Sequence, residues 1–372
     1  MQTNNLQDKC RGSLIGGAIG DALGYAVEFS SLNAIRMKYG ENGIVEYDLN
    51  PEGIAEFSDD TQMSLFTAEG LLSAIAADKT FEKDIVPNIS TAYEHWYYTQ
   101  GRAPLKMRKS WLTHVKALWA RRAPGNTCLS ALETISLPKG APVINNSKGC
   151  GGVMRVAPIG IFSAAHPRLL DLEHACYLAG HAADITHKHP MSTYSSMALA
   201  MIVADCMAHD TVDQDKFRFI VINRTFKLLG LYFKEETQLS ELQKLVQSAI
   251  DFAVSDKSDT EAIRELGEGW VAEETLAIAI FSVIRYIDDF EKCIRCAVNH
   301  DGDSDSTGAV AGNIIGAILG YNAIPQKYVT NLELHDVLLS VADDLGGFSN
   351  PEQIKERYVN HKPFNVKPSE LL

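Results

Sequence analysis

The chain of 372 residues is 46% hydrophobic and 22% charged, an ordinary globular composition compatible with one helical domain spanning 1–372. Its formal net charge of −13 argues against a protein whose main affinity is for a nucleic-acid backbone, which needs basic patches. It leaves open a small phosphate-bearing ligand held by backbone N–H groups and metal.

The longest apolar runs, such as Thr275 to Ile284, fall well short of the roughly 18 residues that a membrane helix needs. Seven scattered cysteines, with no secretory signal ahead of them, read as reduced thiols in a cytoplasmic protein.

In chain order, Arg11 to Phe29 has helical spacing, with Ile15, Ala18, Ile19, Ala22, Leu23 and Ala26 on one face. The segment also holds Gly12, Gly16, Gly17, Gly20 and Gly24. Each glycine costs about 1 kcal/mol against alanine in a helix, so keeping this many points to close helix packing or close approach of a ligand. At helical spacing Asp21 and Glu28 share a face.

Ser30 to Phe57 reads as a loop, and Ser58 as the N-cap of a helix running to about Ala77. Phe81 to Gln100 is helical, and residues 101–152 are less regular, with a backbone-exposing loop at Asn145 to Gly152. Helical spacing recurs at Leu169–Asp184, Met191–Ala208, Phe217–Tyr232, Leu239–Val254, Thr275–Tyr286, Phe290–Val298 and Ala309–Tyr321. Gly312, Gly316 and Gly320 repeat every four residues in the last of these. Strand signals are sparse and no fixed-period repeat is visible. The expected fold is all-α, one compact domain of about a dozen helices.

Two acidic clusters carry the chemistry. One is Ser58-Asp59-Asp60-Thr61, and the other runs from Asp301 to Thr307 with Asp303, Asp305 and Ser306. Each alone fits a solvated helix start, where the dipole favours Asp. Together with Glu28 they read as two halves of one metal site, and their hard oxygen ligands point to Mg²⁺, Mn²⁺ or Ca²⁺ rather than zinc. The second cluster begins like a calcium-binding EF-hand loop, but Ser306 and Gly312 stand where that loop needs glycine and glutamate.

Cys293 and Cys296 have metal-ligand spacing without a second pair, and read as buried thiols on a helix. The loop from Asn146 to Gly152 lacks a Walker signature; it reads as a turn or as a nest of N–H groups for phosphate or ribose. His187, taken alone, reads as a satisfied surface histidine, and His189, ahead of Pro190, marks a turn.

Four successive segments resemble the signatures of the ADP-ribosylglycohydrolase family: Gly20 to Gly24 with Glu28, Phe57 to Thr61, Gly149 to Pro158, and Gly302 to Ser306. They follow the family's order and span about 11–321, with no signature after Tyr321. The resemblance implies an all-α fold with two Mg²⁺ or Mn²⁺ ions in a central cleft, and cleavage of the glycosidic bond between ADP-ribose and a protein side chain or related acceptor. It implies that Ser58, Asp59, Asp60, Asp303, Asp305 and Ser306 hold metal. Glu28, Asp59 and Asp303 are then the catalytic carboxylates, Glu28 in acid/base or gating work.

The resemblance further places Ser147, Gly149, Cys150, Gly151 and Gly152 around the distal ribose and diphosphate, with His187 as a ligand contact. Cys150 stands where several members carry asparagine. The two metals would orient the ribose hydroxyls and activate water while the carboxylates manage protons. The rival readings are a dimetal phosphohydrolase, a hydrolase of another N-glycoside, and a non-catalytic ADP-ribose binder. The expected partner is an ADP-ribosylated protein or small molecule.

Overall fold

The computed structural model describes residues 3–102, 110–137, 141–233, 236–363 and 366–372. Among them the chain is all-α, with isolated β-bridges and no sheet. The first helix, α1 (Thr3–Tyr25), is followed by α2 (Leu32–Tyr39), α3 (Asp59–Ala76), α4 (Glu82–Tyr97) and α5 (Asn126–Ile135). A buried 3₁₀ segment, Cys150–Arg155, leads into α6 (Ala157–Ala165), α7 (Leu172–Asp184) and α8 (Pro190–Met207).

Next come α9 (Gln214–Phe219), α10 (Lys227–Tyr232), α11 (Thr237–Ala253), α12 (Asp259–Leu266), α13 (Ala272–Arg285) and α14 (Phe290–Val298). The chain ends with α15 (Ser304–Leu319), α16 (Gln326–Thr330), α17 (His335–Gly346) and α18 (Pro351–Tyr358). Nearly every residue of α8, α13 and α15 is buried, so these helices form the centre. No helix among the described residues is long and apolar enough to cross a membrane.

The glycines of the first and last predicted helices meet each other. Along the α1–α15 contact Gly12 faces Gly316, Gly16 faces Gly312, Gly20 faces Gly308 and Gly24 faces Ser304. A Cβ added at Gly16 would stand 2.5 Å from the carbonyl oxygen of Gly312, a distance no side chain tolerates. The facing pairs run in opposite directions, so the helices are antiparallel and the C-terminal end of α1 lies against the N-terminal end of α15. A reciprocal clamp fixes their register: Ser13 Oγ donates to the Asn313 carbonyl at 2.8 Å, and Asn313 Nδ2 donates to the Ser13 carbonyl at 2.9 Å. Chain ends far apart in sequence therefore meet at one point.

Several expectations shift. Helix α1 begins earlier than the spacing predicts and ends at Tyr25, where the Val27 N–H turns back onto the Gly24 carbonyl at 2.9 Å. Glu28 therefore lies on a turn beyond the helix, not on a helical face shared with Asp21. The expected loop from Ser30 to Phe57 contains α2, which Ser31 caps by accepting the Ala34 N–H. Phe217 to Tyr232 divides into α9 and α10 around a wider π-type turn, Ile220–Phe226. His189 does mark the chain turn, accepting the Met191 N–H at 3.1 Å as the N-cap of α8.

Candidate active site

Two helix starts converge where α1 ends. Helix α3 opens with Ser58 as N-cap, its hydroxyl accepting the Asp60 N–H at 3.1 Å. Helix α15 opens with Asp303 as N-cap, and the Ser306 N–H bonds to Asp305 at 2.9 Å. Asp21 ties α1 to α3: its carboxylate accepts the Ser58 N–H at 2.8 Å, the Thr61 N–H at 2.9 Å and the Thr61 hydroxyl at 2.5 Å.

The carboxylates this brings together are buried: Asp59, Asp60, Asp303 and Asp305 are at most 5% exposed and Glu28 is 7% exposed. Oxygens of Glu28, Asp303 and Asp305 all lie within 4.8 Å of one another. Glu28 Oε2 and Asp60 Oδ2 are buried without a hydrogen-bond partner among the described residues. Asp59 accepts the Gly125 N–H at 3.3 Å, which draws the segment before α5 over the site. Asp301, despite its place in the cluster, turns away to accept the Leu32 N–H at 2.7 Å.

As protein groups alone these acids cannot all be ionised. Burial, and next the neighbouring Asp305, push Asp59, Asp60 and Asp303 well above the usual carboxylate range. The same causes raise Glu28 to about 10 and Asp21 to about 7. A cation resolves this: it returns the carboxylates to their charged form and gives the orphaned oxygens a partner. The oxygen-only donor set fits a hard divalent ion.

The acids line one side of an open cleft. Gly149, Cys150, Gly151, His187, Thr127 and Trp270 line much of the rest. The glycine loop is held from behind: the Cys150 N–H donates to the Trp270 carbonyl at 3.2 Å and the Ala272 N–H to the Lys148 carbonyl at 2.8 Å. Asn145 accepts the N–H groups of Ser147 and Lys188, both at 3.1 Å, and donates to the Thr186 carbonyl at 2.8 Å. This staple fastens the loop to the segment carrying His187.

The cleft does not gather every expected residue. Ser58, Ser147 and Gly152 are absent from its lining. The Ser147 hydroxyl is shared with Thr127 at 3.1 Å, and Gly152 packs against Ser192 and Ala183. The Cys150 thiol faces Asp303 and Ser306, so it belongs to the acidic wall; burial, then Asp303 and Asp60, push it far above the ordinary thiol value, and it stays protonated. His187 is 2% exposed and so is not the surface histidine that its segment suggests in isolation. Cys293 and Cys296 are buried free thiols on α14, as their spacing implies.

Composition and spacing point to neither Asp21's role nor that of Asn145, Thr127, Arg155, Thr186 or Trp270. The Asp in Gly20-Asp21-Ala22 does carry a signal, as a charged residue on an otherwise apolar glycine-rich helix. Phe29 and Trp270 stack at the rim with ring centroids 5.9 Å apart and 20° between planes.

A family model of ADP-ribosylglycohydrolase matches residues 2–353, extending past the last recognisable signature. This chain belongs to the ADP-ribosylglycohydrolase family. It is 26% identical to the ADP-ribosyl-[dinitrogen reductase] glycohydrolase of Rhodospirillum rubrum, over 89% of this chain and 92% of that protein. It is 26% identical to the ADP-ribosylarginine hydrolase Tri1 of Serratia proteamaculans, over 91% of this chain and 79% of that protein. It is likewise 26% identical to the ADP-ribosylhydrolase ARH3 of Danio rerio, over 90% and 88%. A solved structure titled ADP-ribosylglycohydrolase-related protein complex superposes with a TM-score of 0.63 at 23% identity, over 93% of this chain and 100% of that one. That likeness shows a shared fold.

Proposed function

We propose that this protein hydrolyses the glycosidic bond between ADP-ribose and an acceptor side chain, using two divalent cations of the Mg²⁺ or Mn²⁺ type. The observation that carries this reading is the meeting of two buried acidic helix starts, with orphaned oxygens on Glu28 and Asp60, beside a glycine loop in one cleft. Ser58, Asp59, Asp60, Asp303, Asp305 and Ser306 would hold the cations. When bound, the cations orient the ribose hydroxyls and make water a better nucleophile.

This chain's own groups then do the following. The glycine loop around Gly149 to Gly151 lets the diphosphate or ribose approach the backbone closely, since glycine has no side chain in the way. Glu28 takes the proton of the attacking water as its oxygen bonds to the ribose carbon. The bond from that carbon to the acceptor breaks, and Glu28 returns a proton to the leaving atom. Asp59 and Asp303 hold the water and the ribose in line, and the buried walls keep bulk water out.

Arginine is the acceptor favoured by the rim. Phe29 is 76% exposed and Trp270 38% exposed, and the acidic wall begins at the neighbouring Glu28. A planar guanidinium suits aromatic faces next to negative charge. The Serratia relative carries that specificity in its name. The test is product analysis with Mg²⁺ or Mn²⁺ on peptides ADP-ribosylated at arginine or at serine. Free ADP-ribose from the arginine peptide is expected. AMP or phosphate as product would favour a phosphohydrolase, and ADP-ribose binding without turnover would favour a non-catalytic binder.

A further inference from the structure

Behind the glycine loop lies a fully buried arginine. Arg155 is 0% exposed, and among the described residues its hydrogen bonds go to neutral groups. Its guanidinium lies 4.2 Å from the ring centre of Tyr93. Nη2 donates to the Ala182 carbonyl at 3.1 Å and to Thr186 Oγ1 at 2.7 Å, and Nη1 points to the sulfurs of Met63 and Cys128. A buried cation bonded only to neutral groups is costly, so its placement calls for an account.

Thr186 Oγ1 is also 2.8 Å from His187 Nδ1. Arg155 can only donate, so the Thr186 oxygen accepts from it and keeps one hydrogen to give. The nearby acceptors are His187 Nδ1 and Cys128 Sγ, and sulfur is the weaker. With the hydroxyl donating to Nδ1, the imidazole carries its hydrogen on Nε2. Burial, and next the Arg155 charge, lower the His187 pKa to about 3, so the ring is neutral. The Nε2 edge abuts Gly149 and Gly151, where a Cβ at Gly151 would stand 3.1 Å from Nε2. The opposite tautomer would turn a lone pair toward a cleft walled by carboxylates.

We propose that Arg155 and Thr186 are positioning residues that hold His187 as its neutral Nε2–H tautomer, so that its ring offers an uncharged donor beside the glycine loop to an oxygen of the bound ADP-ribose. The inference rests on the proposed function for the identity of the ligand, but not for the tautomer. A fixed neutral donor binds a ribose or phosphate oxygen without adding a charge that would compete with the cations for the carboxylates.

The test is ¹⁵N NMR of the histidine side chains in the ligand-free full chain, with His187 assigned by the signal lost in His187→Gln, and calorimetry with ADP-ribose and, separately, Mn²⁺. The expected spectrum shows a single Nε2–H tautomer that does not titrate near neutrality. Thr186→Val should mix the tautomers and weaken ADP-ribose binding about three- to tenfold, the worth of one neutral hydrogen bond, with Mn²⁺ affinity unchanged. Thr186→Ser should restore both. An Nδ1–H tautomer in the wild type would overturn the inference, as would Thr186→Val with wild-type ADP-ribose affinity. If Thr186→Val does not fold, the wild-type spectrum and Thr186→Ser still decide. A wild-type protein that binds no ADP-ribose contradicts the proposed function, and the tautomer is then judged from the spectrum alone.

Discussion

The Asp21 carboxylate holds Thr61 by two bonds at once, from its N–H at 2.9 Å and its hydroxyl at 2.5 Å. With the Ser58 N–H on the other oxygen, one fully buried residue of α1 fixes the helix start that carries Asp59 and Asp60. Asp21→Ala would leave three buried donors unsatisfied. We expect a stability loss of about 1–3 kcal/mol or more in urea unfolding, together with weaker Mn²⁺ binding by calorimetry. Asp21→Asn should fall between the two proteins. Unchanged Mn²⁺ affinity in a destabilised Asp21→Ala would reduce Asp21 to a purely structural tie.

The α1–α15 contact is the second support of the site. Gly16→Ala places a methyl against backbone, which cannot move aside as a side-chain tip can. Overpacking of this kind costs about 1–3 kcal/mol, and here it also separates the ends that carry Glu28 and Asp303. Loss of stability and of Mn²⁺ affinity should therefore appear together. Gly230→Ala on α10 is the control, since its nearest neighbour atom is a side-chain nitrogen at 3.8 Å. There the better helix propensity should stabilise by up to about 1 kcal/mol. Equal effects of the two substitutions on thermal unfolding would refute the close-contact argument.

These two supports differ in how plainly the sequence announces them. The four-residue spacing of glycines in both α1 and α15 is by itself the mark of a close helix contact. It does not say that each is the other's partner. The acidic clusters and Ser58 as a cap are equally legible, because local spacing and capping chemistry determine them. Asp21's three acceptor bonds are not legible, because two of its partners are main-chain N–H groups brought near only by the fold. Periodicity puts Glu28 on a helix face because it cannot show where the last turn tightens. His187 reads as a surface residue because its burial comes from Arg155 and the glycine loop, not from its neighbours in sequence.

Glu28→Gln keeps the shape of the side chain and removes its basicity. If Glu28 moves protons in the reaction, turnover should fall about 10²–10⁴-fold with ADP-ribose affinity largely kept. Steady-state rates on an ADP-ribosylated arginine peptide, alongside calorimetry with ADP-ribose, decide it. Retained turnover would remove Glu28 from the chemistry, and joint loss of binding and turnover would assign it to holding ligand or metal.

The raised carboxyl groups make a signed pH prediction for chelator-treated protein. Glu28 at about 10 and Asp21 at about 7 hold protons in the folded state that the unfolded chain has released. The folded state then binds more protons, so stability falls as pH rises above the ordinary carboxylate range and through these raised values. The melting temperature without divalent ions should drop from about pH 5.5 to about pH 9. Saturating Mg²⁺ should oppose that drop, because the ion replaces the protons. A melting temperature that is flat with pH in chelator, or identical with and without Mg²⁺, would contradict the electrostatic account.

On the proposed function, acids from the two ends of the chain build a single two-ion centre. Calorimetric titration of Mn²⁺ into the wild type, Asp60→Ala and Asp305→Ala tests it most directly. The expected result is two ions per wild-type chain, and loss of most binding in each variant while far-ultraviolet circular dichroism stays that of the folded protein. Two folded variants that bind Mn²⁺ as the wild type does would contradict it.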